Sequence, residues 1–139
     1  MQSPALFRAQ RTAQRLLALE VGSESDALVA VCDRLRNHFG ALVGRQGFRM
    51  LLQRSLVISR KSSLDLKKFV ITDSGAVDGI EEIASQLTPV RIKAASTALI
   101  GQVLVLLETF IGEALTQQLL EEIWPGAPYV PANLESRKL

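Results

Sequence analysis

Apolar residues return every three or four positions in four separate segments of the chain, a spacing that predicts helices. Leu6, Ala9, Ala13, Leu16 and Leu17 form the first stripe. Ser3-Pro4 opens it, since the hydroxyl can cap free backbone donors and proline at the first helical position loses no hydrogen bond. A helix from Pro4 to Glu20 is expected, ended by Gly22. Its stripe is partly alanine, so it is expected to bury less than the others and to be mobile or shared with another subunit. Leu28, Val31, Cys32, Leu35 and Phe39 define a second helix over about Asp26 to His38, capped from Ser23 or Ser25. Three glycines, Gly40, Gly44 and Gly47, read as a bend or short turn, because each costs a helix interior about 1 kcal/mol relative to alanine. The third helix takes Phe48, Leu51, Leu52, Leu56 and Ile58 inward and ends near Lys61-Ser62-Ser63.

Residues 64–79 abandon this spacing. Phe69-Val70-Ile71-Thr72 is apolar and β-branched, and turn residues follow at Asp73-Ser74-Gly75 and Asp78-Gly79, which predicts a short strand or hairpin. Ile80 to Gln86 reads as a brief helix with Glu81 and Glu82 in its favourable first turn. From Thr88-Pro89 the three-four alternation returns through Ile92, Ala95, Leu99, Val103, Leu106 and Phe110, while Ile100, Leu104, Val105 and Leu107 cover other faces. A helix apolar on nearly all sides belongs at the centre of a fold or in an oligomer interface. Gly112 should break it, and Leu115, Leu119, Leu120, Ile123 and Trp124 mark a last helix that Pro125-Gly126 ends. The prediction is an all-α fold of five or six helices around the apolar helix at about 89–111, with a minor β element near 69–77. Residues 1–125 are expected to form a single helical domain, and 126–139 an irregular or disordered tail.

Composition narrows the chemistry. With 139 residues, 47% of them hydrophobic and 22% charged, the chain suits one hydrophobic core. One cysteine and one histidine exclude a disulfide framework and a Cys/His zinc site within the chain. The longest uncharged stretch, Ala94 to Leu107, is shorter than the roughly 20 residues that span a bilayer. No apolar run follows a basic cluster at the amino terminus, so the expectation is a cytoplasmic protein without a membrane span. The net charge of +2 hides a division, with twelve of the sixteen Lys/Arg in residues 1–70 and nine of the fourteen Asp/Glu in 71–139. Basic early helices lying against acidic later ones is the simplest use of that division, and an exposed basic face with a partner is the alternative.

Neither a nucleophile nor a metal centre emerges. Cys32 falls on the apolar stripe of the second helix, and His38, the sole imidazole, ends that helix. Glu108 and Glu113 stand five apart, Glu121 and Glu122 are adjacent, and Leu35 occupies the position three before His38, so no di-iron pattern exists. Gly40, Gly44 and Gly47 lack the spacing of a nucleotide loop. The sequence therefore predicts no enzyme and no cofactor. Arg34, Arg45, Arg49 and Arg54 are the candidate polyanion contacts, with a nucleic-acid partner in view through a helix-turn-helix across Gly40–Gly47, although little binding is expected at physiological salt.

Thr109 to Pro125 is the most individual stretch, with Phe110-Ile111-Gly112-Glu113 near its start and Trp124-Pro125 at its end. It resembles the carboxy-terminal segment of a group of small, functionally uncharacterised bacterial helical proteins in which those two elements recur. The resemblance covers about seventeen residues and, less distinctly, Gly47-Phe48-Arg49 to Leu56. It implies a bacterial, helical protein and no catalytic activity. Thr109, Phe110, Gly112, Glu113, Thr116 and Trp124 are the candidate interaction surface. The favoured function is a non-enzymatic helical protein–protein interaction or dimerisation module, acting as a homodimer. The alternatives are the nucleic-acid binder and a carrier or sensor holding an apolar small molecule beside Leu99, Val103 and Leu106.

Overall fold

The structure, a computed structural model, describes residues 3–126. The predicted tail, 126–139, lies outside the described residues apart from Gly126. The described residues form six α-helices: α1 (Pro4–Leu19), α2 (Glu24–Val43), α3 (Arg45–Ser59), α4 (Ile80–Ala84), α5 (Pro89–Ile111) and α6 (Glu113–Ile123). A 3-10 turn over Leu64–Lys68 leads into a two-stranded antiparallel ribbon of β1 (Val70–Ile71) and β2 (Val77–Asp78), with Val70 opposite Asp78 and Ile71 opposite Val77. The fold is all-α with a minor β element.

Local chemistry sets most of the boundaries. Ser3 Oγ accepts from the Leu6 N–H at 3.1 Å, and Thr88 Oγ1 accepts from the Arg91 N–H at 3.3 Å, each ahead of a proline in the first turn. Ser23 and Asp26 close a capping box, each side chain accepting from the other's backbone N–H.

Helix α5 is the axle on which α1, α2, α3 and α6 all pack. Leu99, Ile100, Val103 and Leu107 on it are fully buried, together with Leu16, Leu28, Leu35, Phe39, Phe48, Leu52, Leu56 and Leu120 from its neighbours. The helix extends past its uncharged stretch through Arg91, Lys93 and Glu108. By length and composition alone it is therefore long enough to cross a bilayer, and 56% of its most apolar window is buried inside the fold.

Two expectations are corrected. The alanine-rich α1 is not a loosely held helix: Ala13 and Leu16 are fully buried, and it is the most extensive partner of α5. Small side chains shorten the distance between helix axes, so a stripe poor in bulk gains proximity in its place. Nor does the expected bend extend over Gly40–Gly47; it is confined to Gly44. Helix α2 runs through Gly40 to Val43, and Gly44 alone separates it from α3. The cost of one glycine in a helix is small beside the burial of Phe39 and Phe48 on either side.

Gly44 and Gly112 do the same work. Each is the single residue between two helices, at φ 89°, ψ 155° and φ 94°, ψ 156° respectively, a region essentially closed to side chains. No atom approaches the Cβ position of either, so the requirement is conformational and not one of space. Gly112→Ala is accordingly expected to destabilise by about 1–3 kcal/mol. In urea denaturation the midpoint should fall with the slope unchanged; a rising midpoint would mean that α5 and α6 can join as one helix.

Candidate docking surface

Helices α3 and α5 run antiparallel. Ser62 and Ser63, just past the end of α3, share a pocket with Val90, Lys93 and Thr97 near the start of α5, while Gly47 in the first turn of α3 meets Phe110 in the last turn of α5. Between them opens an apolar groove of about 500 Å³, lined by Gly47, Met50, Leu51, Arg54, Leu106, Thr109 and Phe110. Phe110 is 70% exposed and Met50 67% exposed. Clustered large apolar side chains of this kind are the surface feature that marks a partner, whereas scattered ones need no explanation.

The predicted interaction residues divide. Thr109 and Phe110 line the groove, and the Thr109 hydroxyl donates to the Val105 carbonyl at 2.9 Å. Gly112 and Glu113 are exposed just past Phe110. Thr116 and Trp124 do not belong to this surface. Thr116 is fully buried and donates to the Gly112 carbonyl at 2.8 Å, tying the first turn of α6 to the glycine junction. Trp124 is buried, with its indole N–H donating to Glu20 Oε2 at 2.7 Å. An amphipathic stripe does not reveal from sequence which of its polar members turns inward, and here the helix junction turns both toward the core.

The four candidate polyanion contacts are likewise dispersed. Arg34 pairs with Glu20 at 2.9 Å, beside Trp124. Arg54 lines the apolar groove. Arg49 is held by the β1–β2 turn, donating from Nε to the Thr72 carbonyl at 3.1 Å and pairing with Asp73 at 3.6 Å. Arg45 lines a second recess with Arg36, Asn37, Gly40, Ala41 and Ser74. Arg45 and Arg49 thus approach one place, and Arg34 and Arg54 point to others. The sequence reading missed Met50 and Ser74. The only available signal was Met50 on the outward side of α3, since the recess is made by elements far apart in the chain.

The remaining candidates have structural positions. Cys32 is buried in the core, and desolvation, with Asp33 adding to it, pushes its thiol up to about 12, so it stays protonated at neutral pH and is a poor nucleophile. His38 is exposed, its Nδ1 2.9 Å from the Arg34 carbonyl. Leu99 and Val103 are enclosed by the core, leaving Leu106 at the groove. Among the described residues no group of three or more His, Cys, Asp or Glu side chains is placed to hold a metal ion. Compared with protein-family models, curated proteins and solved structures, the chain matches none.

Proposed function

We propose that the protein is a non-enzymatic dimerisation module whose α3–α5 groove takes the same face of a second copy. The observation that carries this reading is the pairing of a projecting Phe110 with an apolar groove at its side. A twofold axis brings the projection of each copy to the groove of the other, as an isologous interface requires. Charge supports the same arrangement. Arg54 stands toward one end of the groove and Glu113 lies past Phe110 at the other, and among the described residues neither is held in an ion pair. Antiparallel apposition sets the Arg54 of each copy toward the Glu113 of its mate.

Sedimentation equilibrium over a concentration series tests the proposal. The expected result is a monomer–dimer equilibrium that Phe110→Asp or Met50→Asp weakens by about thirtyfold, the effect of losing about 2 kcal/mol at a central apolar contact. Both side chains are exposed in the monomer, so the variants should fold. Arg54→Glu and Glu113→Arg should each weaken association, and the two together should restore it. A wild-type chain that stays monomeric at high concentration, or a dimer indifferent to all four changes, would remove the groove from this role.

A further inference from the structure

On the other side of α3, two helices and the ribbon turn enclose a recess of about 590 Å³, lined by Arg36, Asn37, Gly40 and Ala41 of α2, Arg45 of α3 and Ser74 of the turn between β1 and β2. We propose that this recess binds a small phosphorylated molecule through Arg45, Arg36, Asn37 and Ser74.

The turn positions the basic groups. Gly75 is buried, and a Cβ placed on it would lie 3.5 Å from Arg36 Cδ and 3.9 Å from Arg49 Cβ, so the stems of two arginines on different helices pack against one backbone loop. The same loop is stiffened by Thr72, which accepts from the Ala76 N–H at 3.1 Å and meets the Ser74 hydroxyl at 3.0 Å. Three guanidiniums therefore stand around the turn against two carboxylates. Asp33 pairs with Arg36 at 3.3 Å, and Asp73, fully solvent-exposed, pairs with Arg49 at 3.6 Å. No ion pair holds Arg45 among the described residues, and Asn37 and Ser74 add amide and hydroxyl donors at the wall. Planar guanidiniums that converge with neutral donors match the tetrahedral oxygens of a phosphate group.

The recess has the size of a small-molecule pocket. A nucleic-acid duplex would need a row of cations along the backbone, and Arg34 and Arg54, engaged with Glu20 and with the apolar groove, do not extend one from here.

The test is an amide-resolved NMR titration of the full chain with inorganic phosphate and pyrophosphate at constant ionic strength. Saturable shifts confined to Asn37, Arg45, Ser74 and Gly75 are expected, with pyrophosphate the tighter probe. Arg45→Gln should weaken binding by about tenfold or more, the loss of one charge-assisted contact. Ser74→Asp should abolish it by adding a negative charge, while Lys67→Gln, at an exposed cation outside both the groove and the recess, should leave it unchanged. Arg45 and Ser74 are exposed, and the same spectra report whether each variant is folded. Shifts that do not saturate, or that Lys67→Gln reduces as much as Arg45→Gln, would overturn the assignment. Tight duplex DNA binding with a steep salt dependence would overturn it in favour of a nucleic-acid surface.

Discussion

Replacing Gly101 with valine is expected to cost about 3 kcal/mol of stability, the upper part of the range for overpacking a filled interior. Gly101 lies in α5 where α1 crosses it. A Cβ there would sit 2.7 Å from Gln10 Cγ and 3.2 Å and 3.3 Å from the Gln10 Cα and backbone N. The first neighbour can swing away, but the other two are backbone, so α1 itself must retreat. That retreat would loosen Ala9, Ala13, Leu16 and Leu17, the buried residues through which α1 closes the core. Alanine makes the sharper comparison. Helix propensity alone favours it over glycine by about 1 kcal/mol, and the crowding opposes it by roughly 1–3 kcal/mol, so Gly101→Ala should be destabilising, though less than valine. Chemical denaturation of the two variants gives the ranking directly. If alanine raised the midpoint with an unchanged slope, the α1–α5 contact would be more yielding than its geometry indicates.

Glu20→Ala is the second large effect, with an expected loss of roughly 1–3 kcal/mol from stranding the buried indole N–H of Trp124. Just past α1, Glu20 accepts at one carboxylate oxygen from two partners, the Trp124 indole N–H at 2.7 Å and Arg34 Nε at 2.9 Å. Its side chain is only 8% exposed, so water does not readily replace what is removed. The bond to Trp124 joins residues 104 apart in sequence and fastens the end of α6 to the end of α1. Glu20→Gln keeps a neutral acceptor and should lose less. Trp124→Phe removes the donor, so the Glu20→Ala and Trp124→Phe losses should fall short of additivity when combined. Trp124 is the sole tryptophan, and its emission should shift to the red in Glu20→Ala as the indole gains access to water. Strict additivity, with unmoved emission, would show that the carboxylate does not hold the indole.

Elements whose signals were local could be read in advance. Ser3-Pro4 and Thr88-Pro89 announced α1 and α5 because capping needs only adjacent residues. The ribbon at Val70–Ile71 and Val77–Asp78 followed from β-branched residues around a turn. The error over Gly40–Gly47 came from weighing glycines by propensity alone: Gly40 and Gly47 sit inside helices, and only Gly44 takes the conformation that ends one. The error over α1 came from equating bulk with burial, when Gly101 lets the α1 backbone at Gln10 come close and the buried alanines Ala9 and Ala13 lie on either side of that residue.

For the candidate sites the sequence delivered components without their grouping. Thr109 and Phe110 were identifiable, yet Met50 joins them only because α3 lies antiparallel to α5. Thr116 and Trp124 shared the same individual stretch and turned inward, one to the glycine junction and one to Glu20. Four arginines looked equivalent along the chain, and tertiary structure sent Arg34 to a carboxylate, Arg54 to an apolar groove and Arg45 to a recess with Arg36. Periodicity, caps and glycine conformation act over a few residues, so the sequence by itself determined the helices, their central member and the junction at Gly112. Which side chains share a surface depends on contacts between residues tens of positions apart, chosen by how whole helix faces pack against α5, and the groove and the recess were decided there.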